Sequence, residues 1–158
     1  MIQSNNFPLL AAIVSASASI LVAALAYLLK LASDWSDRRR HNQRDLMAIR
    51  NELIVNQSLA KAIMVDARTF GIRFLDKAWQ TCDTSVIYRR SIPSDIVLET
   101  YSTIQLFNTL CNRNELILAS KDYGYGKESR LIREHAEMVV LAERVDALAS
   151  KALASIRT

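Results

Sequence analysis

From Phe7 to Leu31 the chain is an almost unbroken apolar run, FPLLAAIVSASASILVAALAYLLKL, and no charged side chain precedes Lys30. About 20 consecutive apolar residues suffice for a helix to cross a bilayer, so residues 7–31 are predicted to be one transmembrane helix. Pro8 suits a first helical turn, and Asn5 or Asn6 is placed to cap it. Residues 32–44 are polar and read as a basic juxtamembrane neck. From Asp45 apolar residues return at helical spacing (Leu46, Ile49, Leu53, Leu59, Ala60, Ile63, Met64), which predicts helix to about Thr69, with Gly71 loosening it. Phe70, Phe74, Leu75, Ala78 and Trp79 keep that spacing and predict a further helical stretch before the polar Gln80–Ser85. Ser91-Ile92-Pro93-Ser94-Asp95 breaks the chain, with Ser94 or Asp95 capping a helix that carries Ile96, Tyr101, Ile104, Phe107, Leu110 and Cys111. The glycines within Asp122–Lys127 mark a turn or the C-cap of that helix. A last helix, from about Glu128 to Ile156, presents Leu131, His135, Met138, Ala142, Val145, Ala149, Ala152 and Ile156 in a 4-3 stripe, the pattern of a bundle face or coiled-coil seam. The expected fold is therefore all-α: one N-terminal transmembrane helix followed by a cytosolic bundle of about four helices over residues 45–158.

Composition sharpens this picture. Three Gly and two Pro in 158 residues favour long helices over a sheet. A cleaved secretory signal would carry a positive segment before its apolar core and a shorter core. Neither is present, so a retained anchor is expected. Basic residues flank the apolar run on its C-terminal side only (Lys30, Arg38, Arg39, Arg40, Arg44). The positive-inside rule then places the N-terminus outside and the remainder in the cytoplasm, here of a bacterial inner membrane. Arg38, Arg39 and Arg40 are candidates for contact with anionic lipid headgroups. Much of the net charge of +4 behind the pI near 9.3 sits beside the apolar run, so it is weak grounds for a nucleic-acid partner. Arginine supplies 14 of the 20 basic residues, which suits paired contacts. Cys82 and Cys111 are expected as reduced thiols. No P-loop, metal-ligand spacing or nucleophile–base set is present, so no metal or cofactor is expected, and Glu134, Glu137 and Glu143 read as a solvated face.

Three patterns are candidates for function. Ala11, Ser15, Ser19 and Ala23 form a small-residue ladder along one face of the anchor, the spacing that lets membrane helices approach, or line a pore. Arg130 and His135 form an R-x4-H pair. This resembles the motif of HEPN ribonuclease domains, which are helical bundles; the resemblance implies RNA cleavage with His135 as acid or base and Arg130 on the phosphate. The sequence departs from that pattern at Leu131, where a polar residue is usual. Anchor, bundle and R-x4-H together resemble the membrane accessory proteins of type VI CRISPR systems, which implies membrane oligomers, permeabilisation and antiviral defence, with structural rather than active HEPN residues. Finally, Glu52-Leu53 with Asn56, Ala78-Trp79, and Tyr101, Ile104 with Asn108 are similar to the E-L-x-x-N, A-W and Y-x-x-I-x-x-x-N signatures of small anchored bacterial proteins of unassigned function. These read as core positions, with Asn56 and Asn108 pairing to fix helix register. The leading expectation is a non-enzymatic membrane accessory or effector that associates with itself or a protein partner. The alternatives are an anchored ribonuclease acting on RNA through Arg130 and His135, and a structural subunit of a larger membrane complex.

Overall fold

A computed structural model describes residues 7–65, 72–82, 85, 87, 92–119 and 126–156. The described chain is helical with no strand: α1 spans Phe7–Val65, α2 Lys77–Thr81, α3 Ser94–Ala119 and α4 Lys127–Ser155. α1 is uninterrupted because nothing from Leu9 to Val65 is Gly or Pro, so no helical N–H is lost and no backbone is loosened. The chain divides into two compact units, residues 1–41 and 42–158, a division that falls inside the polar neck.

In the first unit the described side chains are exposed almost throughout. None of the most apolar window of α1 is buried, and α1 is, among the described residues, the one helix long and apolar enough to span a membrane. In the second unit the core is built from the C-terminal half of α1 (Leu46, Ile49, Leu53, Ala60, Ile63), from α3 (Val97, Tyr101, Ile104, Phe107, Cys111) and from α4 (Met138, Ala142, Val145, Ala149, Ala152). α3 and α4 pack extensively against each other. Ala60, Ala142, Ala149 and Ala152 are completely buried, which lets the helix backbones approach closely.

The predicted stripe on α4 holds from Met138 onward, but at its N-terminal end the buried position is Glu134, with Leu131 and His135 only half-buried. Gly126 precedes α4 with φ −88°, so it opens a helix instead of closing one. The helix predicted over Phe70–Trp79 is corrected: residues 72–76 are not helical, only Lys77–Thr81 is, and Phe70 lies outside the described residues, as does the expected end of α1 near Thr69. Among the described residues the second unit thus has three long helical segments, the short helix α2 reached through a non-helical strap, and further helical positions at Ser85 and Ile87.

Candidate functional site

The strap is held by polar side chains. A non-helical segment against a core must find partners for its backbone N–H and C=O groups, since leaving them unpaired is costly. Asn56 and Asn108 meet this demand. The Leu75 N–H donates to Asn56 Oδ1 at 2.7 Å, and Asn56 Nδ2 donates back to the Leu75 carbonyl at 2.7 Å. The Phe74 N–H donates to Asn108 Oδ1 at 3.0 Å, and Asn108 Nδ2 returns a bond to the Phe74 carbonyl at 2.9 Å. Each carboxamide therefore acts as a surrogate peptide group, one from α1 and one from α3. Neighbouring residues of an extended chain present their backbone groups to opposite sides, so two consecutive residues can be gripped by two helices. The expectation that Asn56 and Asn108 pair with each other is corrected: both act on the strap. Phe74 then reaches Phe107, ring centroids 4.5 Å apart.

One turn before Asn56, Glu52 does the same for α2. Its Oε2 accepts the Ala78 N–H at 2.7 Å, whereas Asp76, at the start of α2, makes no capping bond with its side chain. An N–H in the first turn of a helix has no partner within it, so a carboxylate from another element acts as the cap. Trp79 stacks on Tyr101, with centroids 4.8 Å apart and planes 11° from parallel. Burial, then the interaction with Glu52, raises the Tyr101 hydroxyl far above the usual tyrosine range, so it stays protonated. Neither Tyr101 Oη nor Glu52 Oε1 has a hydrogen bond of good geometry. Asn56 and Tyr101 are buried, and the group works as a clamp on the strap and on α2. The sequence pattern E-L-x-x-N, A-W, Y-x-x-I-x-x-x-N is thus one assembled structure.

Arg130 and His135 lie in the second and third turns of α4. Arg130 Nε is 3.3 Å from Glu134 Oε1, and Arg113 of α3 binds the same oxygen. Glu134 is buried, which corrects its assignment to a solvated face; two guanidiniums with half-exposed side chains compensate its charge. Glu134 Oε2 and the nearby buried Asn114 Oδ1 carry no hydrogen bond, and Asn114 Nδ2 contacts Met138 Sδ at 3.2 Å. His135 is half-buried and engaged within the chain. Sequence reading missed Glu134 and Arg113; the available signal was an i, i+4 Arg–Glu spacing entering the apolar stripe.

On the apolar N-terminal part of α1, Ser15, Ser19 and Ala23 line one shallow strip together with Ala18, Val22 and Ala26. Ala11 lies on the helix but its side chain is outside the described set. The Ser19 hydroxyl donates to the Ser15 carbonyl at 2.9 Å and Ser17 to Val14 at 2.9 Å, so these hydroxyls are satisfied by their own helix. Arg38, Arg39 and Arg40 are exposed. The Arg39 guanidinium lies over the exposed Trp35 ring, 5.5 Å from its centroid. Tryptophan beside a basic cluster at the end of an apolar helix is the composition of a membrane–water interface. Among the described residues no group of three or more His, Cys, Asp or Glu is placed to hold a metal ion. No protein family, curated protein or solved structure matches this chain. The class that fold and surfaces define is an all-helical protein with, among the described residues, one helix long and apolar enough to span a membrane.

Proposed function

We propose that this chain is a single-pass membrane-anchored helical-bundle protein that works by association, with a second copy or a protein partner, as an accessory or effector at a bacterial inner membrane. The N-terminus lies outside and the bundle in the cytoplasm. One observation carries the reading: Leu21, Leu25, Leu28 and Leu29 are each more than half exposed on a helix of spanning length, a surface that water does not tolerate and lipid covers. The one-sided basic flank from Lys30 to Arg44, with Trp35 and Arg39 at its head, supports the orientation. Permeabilisation and antiviral defence belong to this proposal as the output of association. The ribonuclease reading has less support, because Arg130 is bound to Glu134.

Fractionation with topology reporters tests the proposal. The full chain should stay in the membrane pellet through alkaline extraction, and a C-terminal reporter should be active only in the cytoplasm. Release of the chain into the soluble fraction, or a periplasmic C-terminal reporter, rejects the anchor or its orientation. In detergent the chain should be oligomeric or carry a co-purifying protein; a lone monomer rejects the association.

A further inference from the structure

We propose that the groove between α3 and α4 seats the same groove of a second copy of this chain, an inference that rests on the association reading above and locates its contact. The groove has a volume of about 500 Å³ and a floor formed by Leu110 and Leu141. Its walls carry Leu106 and Val140, which are 52% and 62% exposed, so apolar surface faces outward on the bundle itself. The charges at its edge select the occupant. Arg133 and Glu137, opposite in sign and one turn apart on α4, line the groove and form no ion pair within the described chain. Their neighbours on the same two helices do: Arg113 and Arg130 bind Glu134, and Arg144 binds Glu99.

A two-fold contact is self-complementary, so residue i of one copy meets j of the other and j meets i. With α4 crossing its symmetry mate near Ala136, Arg133 of each copy faces Glu137 of the other. Two identical ion pairs then bracket the crossing. Ala136 is the smallest side chain available at that point and permits close approach, while Leu106 and Val140 close over the floor from both sides. A foreign partner would need its own matching pair of charges; a second copy supplies it by construction of the sequence. Confinement of anchored chains to one membrane raises their effective concentration, so a groove of modest size suffices.

The test uses the full chain in detergent, with dimer dissociation measured by sedimentation equilibrium. Arg133→Glu and Glu137→Arg each place like charges in both rim contacts and should weaken the dimer about tenfold. The combined variant Arg133→Glu/Glu137→Arg should return to within about twofold of the original, because opposite charges again face each other. Val140→Asp should abolish the dimer, and thermal melting should show each variant still folded, as these side chains are exposed. Single reversals that leave the dimer unchanged, or a combined variant no better than either single one, overturn the groove. If wild type and all variants remain associated alike, the contact lies elsewhere and the association reading survives. A wild-type chain that is monomeric at every concentration overturns both.

Discussion

The strap makes the sharpest prediction because its attachment is local and its partners are few. Asn56→Ala deletes both hydrogen bonds to Leu75 and leaves a donor and an acceptor unpaired at the edge of the core. An unmade buried hydrogen bond costs roughly 1–3 kcal/mol per group. Leu75 as a whole residue is 46% exposed, so water relieves part of that cost. Together with the small cavity left at Asn56, the loss is expected at about 2–4 kcal/mol, or roughly 10 °C in melting temperature for a domain of this size. Asn56→Asp is the sharper probe. It keeps the acceptor for the Leu75 N–H but turns an oxygen toward the Leu75 carbonyl in place of the NH₂ donor. Protonation restores that donor, so the introduced carboxyl has a higher pKa folded than unfolded. The folded state then binds the extra proton. Stability relative to wild type should rise as pH falls from about 7 toward the unfolded carboxyl value near 4, opposite to the usual behaviour of a paired carboxylate. Thermal unfolding of the full chain in detergent, followed by Trp79 fluorescence in a Trp35→Phe background, reads both effects, since Trp79 leaves its stack on Tyr101 when the strap detaches. An Asn56→Ala chain that melts within about 2 °C of its parent, or an Asn56→Asp chain whose deficit does not shrink on acidification, would refute the carboxamide clamp.

Two further outcomes follow from buried groups. Burial pushes the Cys111 thiol up to about 11, so at about pH 8 roughly one molecule in a thousand carries the thiolate. N-ethylmaleimide should therefore label Cys82 first and Cys111 only on unfolding; equal native rates would contradict the packing. The same raised value means that the unfolded thiol ionises first, so this group lowers stability as pH climbs from about 9 to about 11 and contributes no pH dependence below that range. Glu134→Ala releases two arginines whose side chains are half exposed and easily rehydrated, and should cost about 1–2 kcal/mol. Arg130→Ala should cost less, because Arg113 still neutralises Glu134. Melting curves that rank Arg130→Ala as the worse variant would show that Arg130 has a role beyond this ion pair.

The helices were legible where a repeating apolar period coincided with the absence of Gly and Pro. That is why α4 begins and ends within a residue of the boundaries its pattern predicts, α3 begins at the predicted cap Ser94, and α1 runs unbroken through the polar neck. Residues 72–76 were not legible for the converse reason. Phe74, Leu75, Ala78 and Trp79 satisfy a helical period, yet the first two are held in a non-helical segment by side chains 34 and 19 residues distant. Local spacing carries no information about partners that far along the sequence, and tertiary hydrogen bonding overrides weak propensity. Glu134 failed in the same way: an acidic residue within a stripe looks solvated unless Arg113, on another helix, is known to meet it.

Polar residues at buried positions are thus the part of this fold that hydrophobic patterning cannot place, and they are also what makes it specific. An apolar stripe on α1 tolerates rotation and sliding against α3, because dispersion contacts re-form in neighbouring registers. Glu52, Asn56 and Asn108 do not tolerate it, because each must meet a particular backbone group of the strap or α2. Asn56 and Asn108 grip adjacent residues, so a shift of either helix by one residue breaks its pair of bonds at once. The clamp therefore sets the registers of α1 and α3 jointly, through the strap. The three signatures E-L-x-x-N, A-W and Y-x-x-I-x-x-x-N meet in this geometry: each of two helices gives one carboxamide to the strap that lies between them in sequence, and the short helix takes the cap that Glu52 provides one turn away from Asn56.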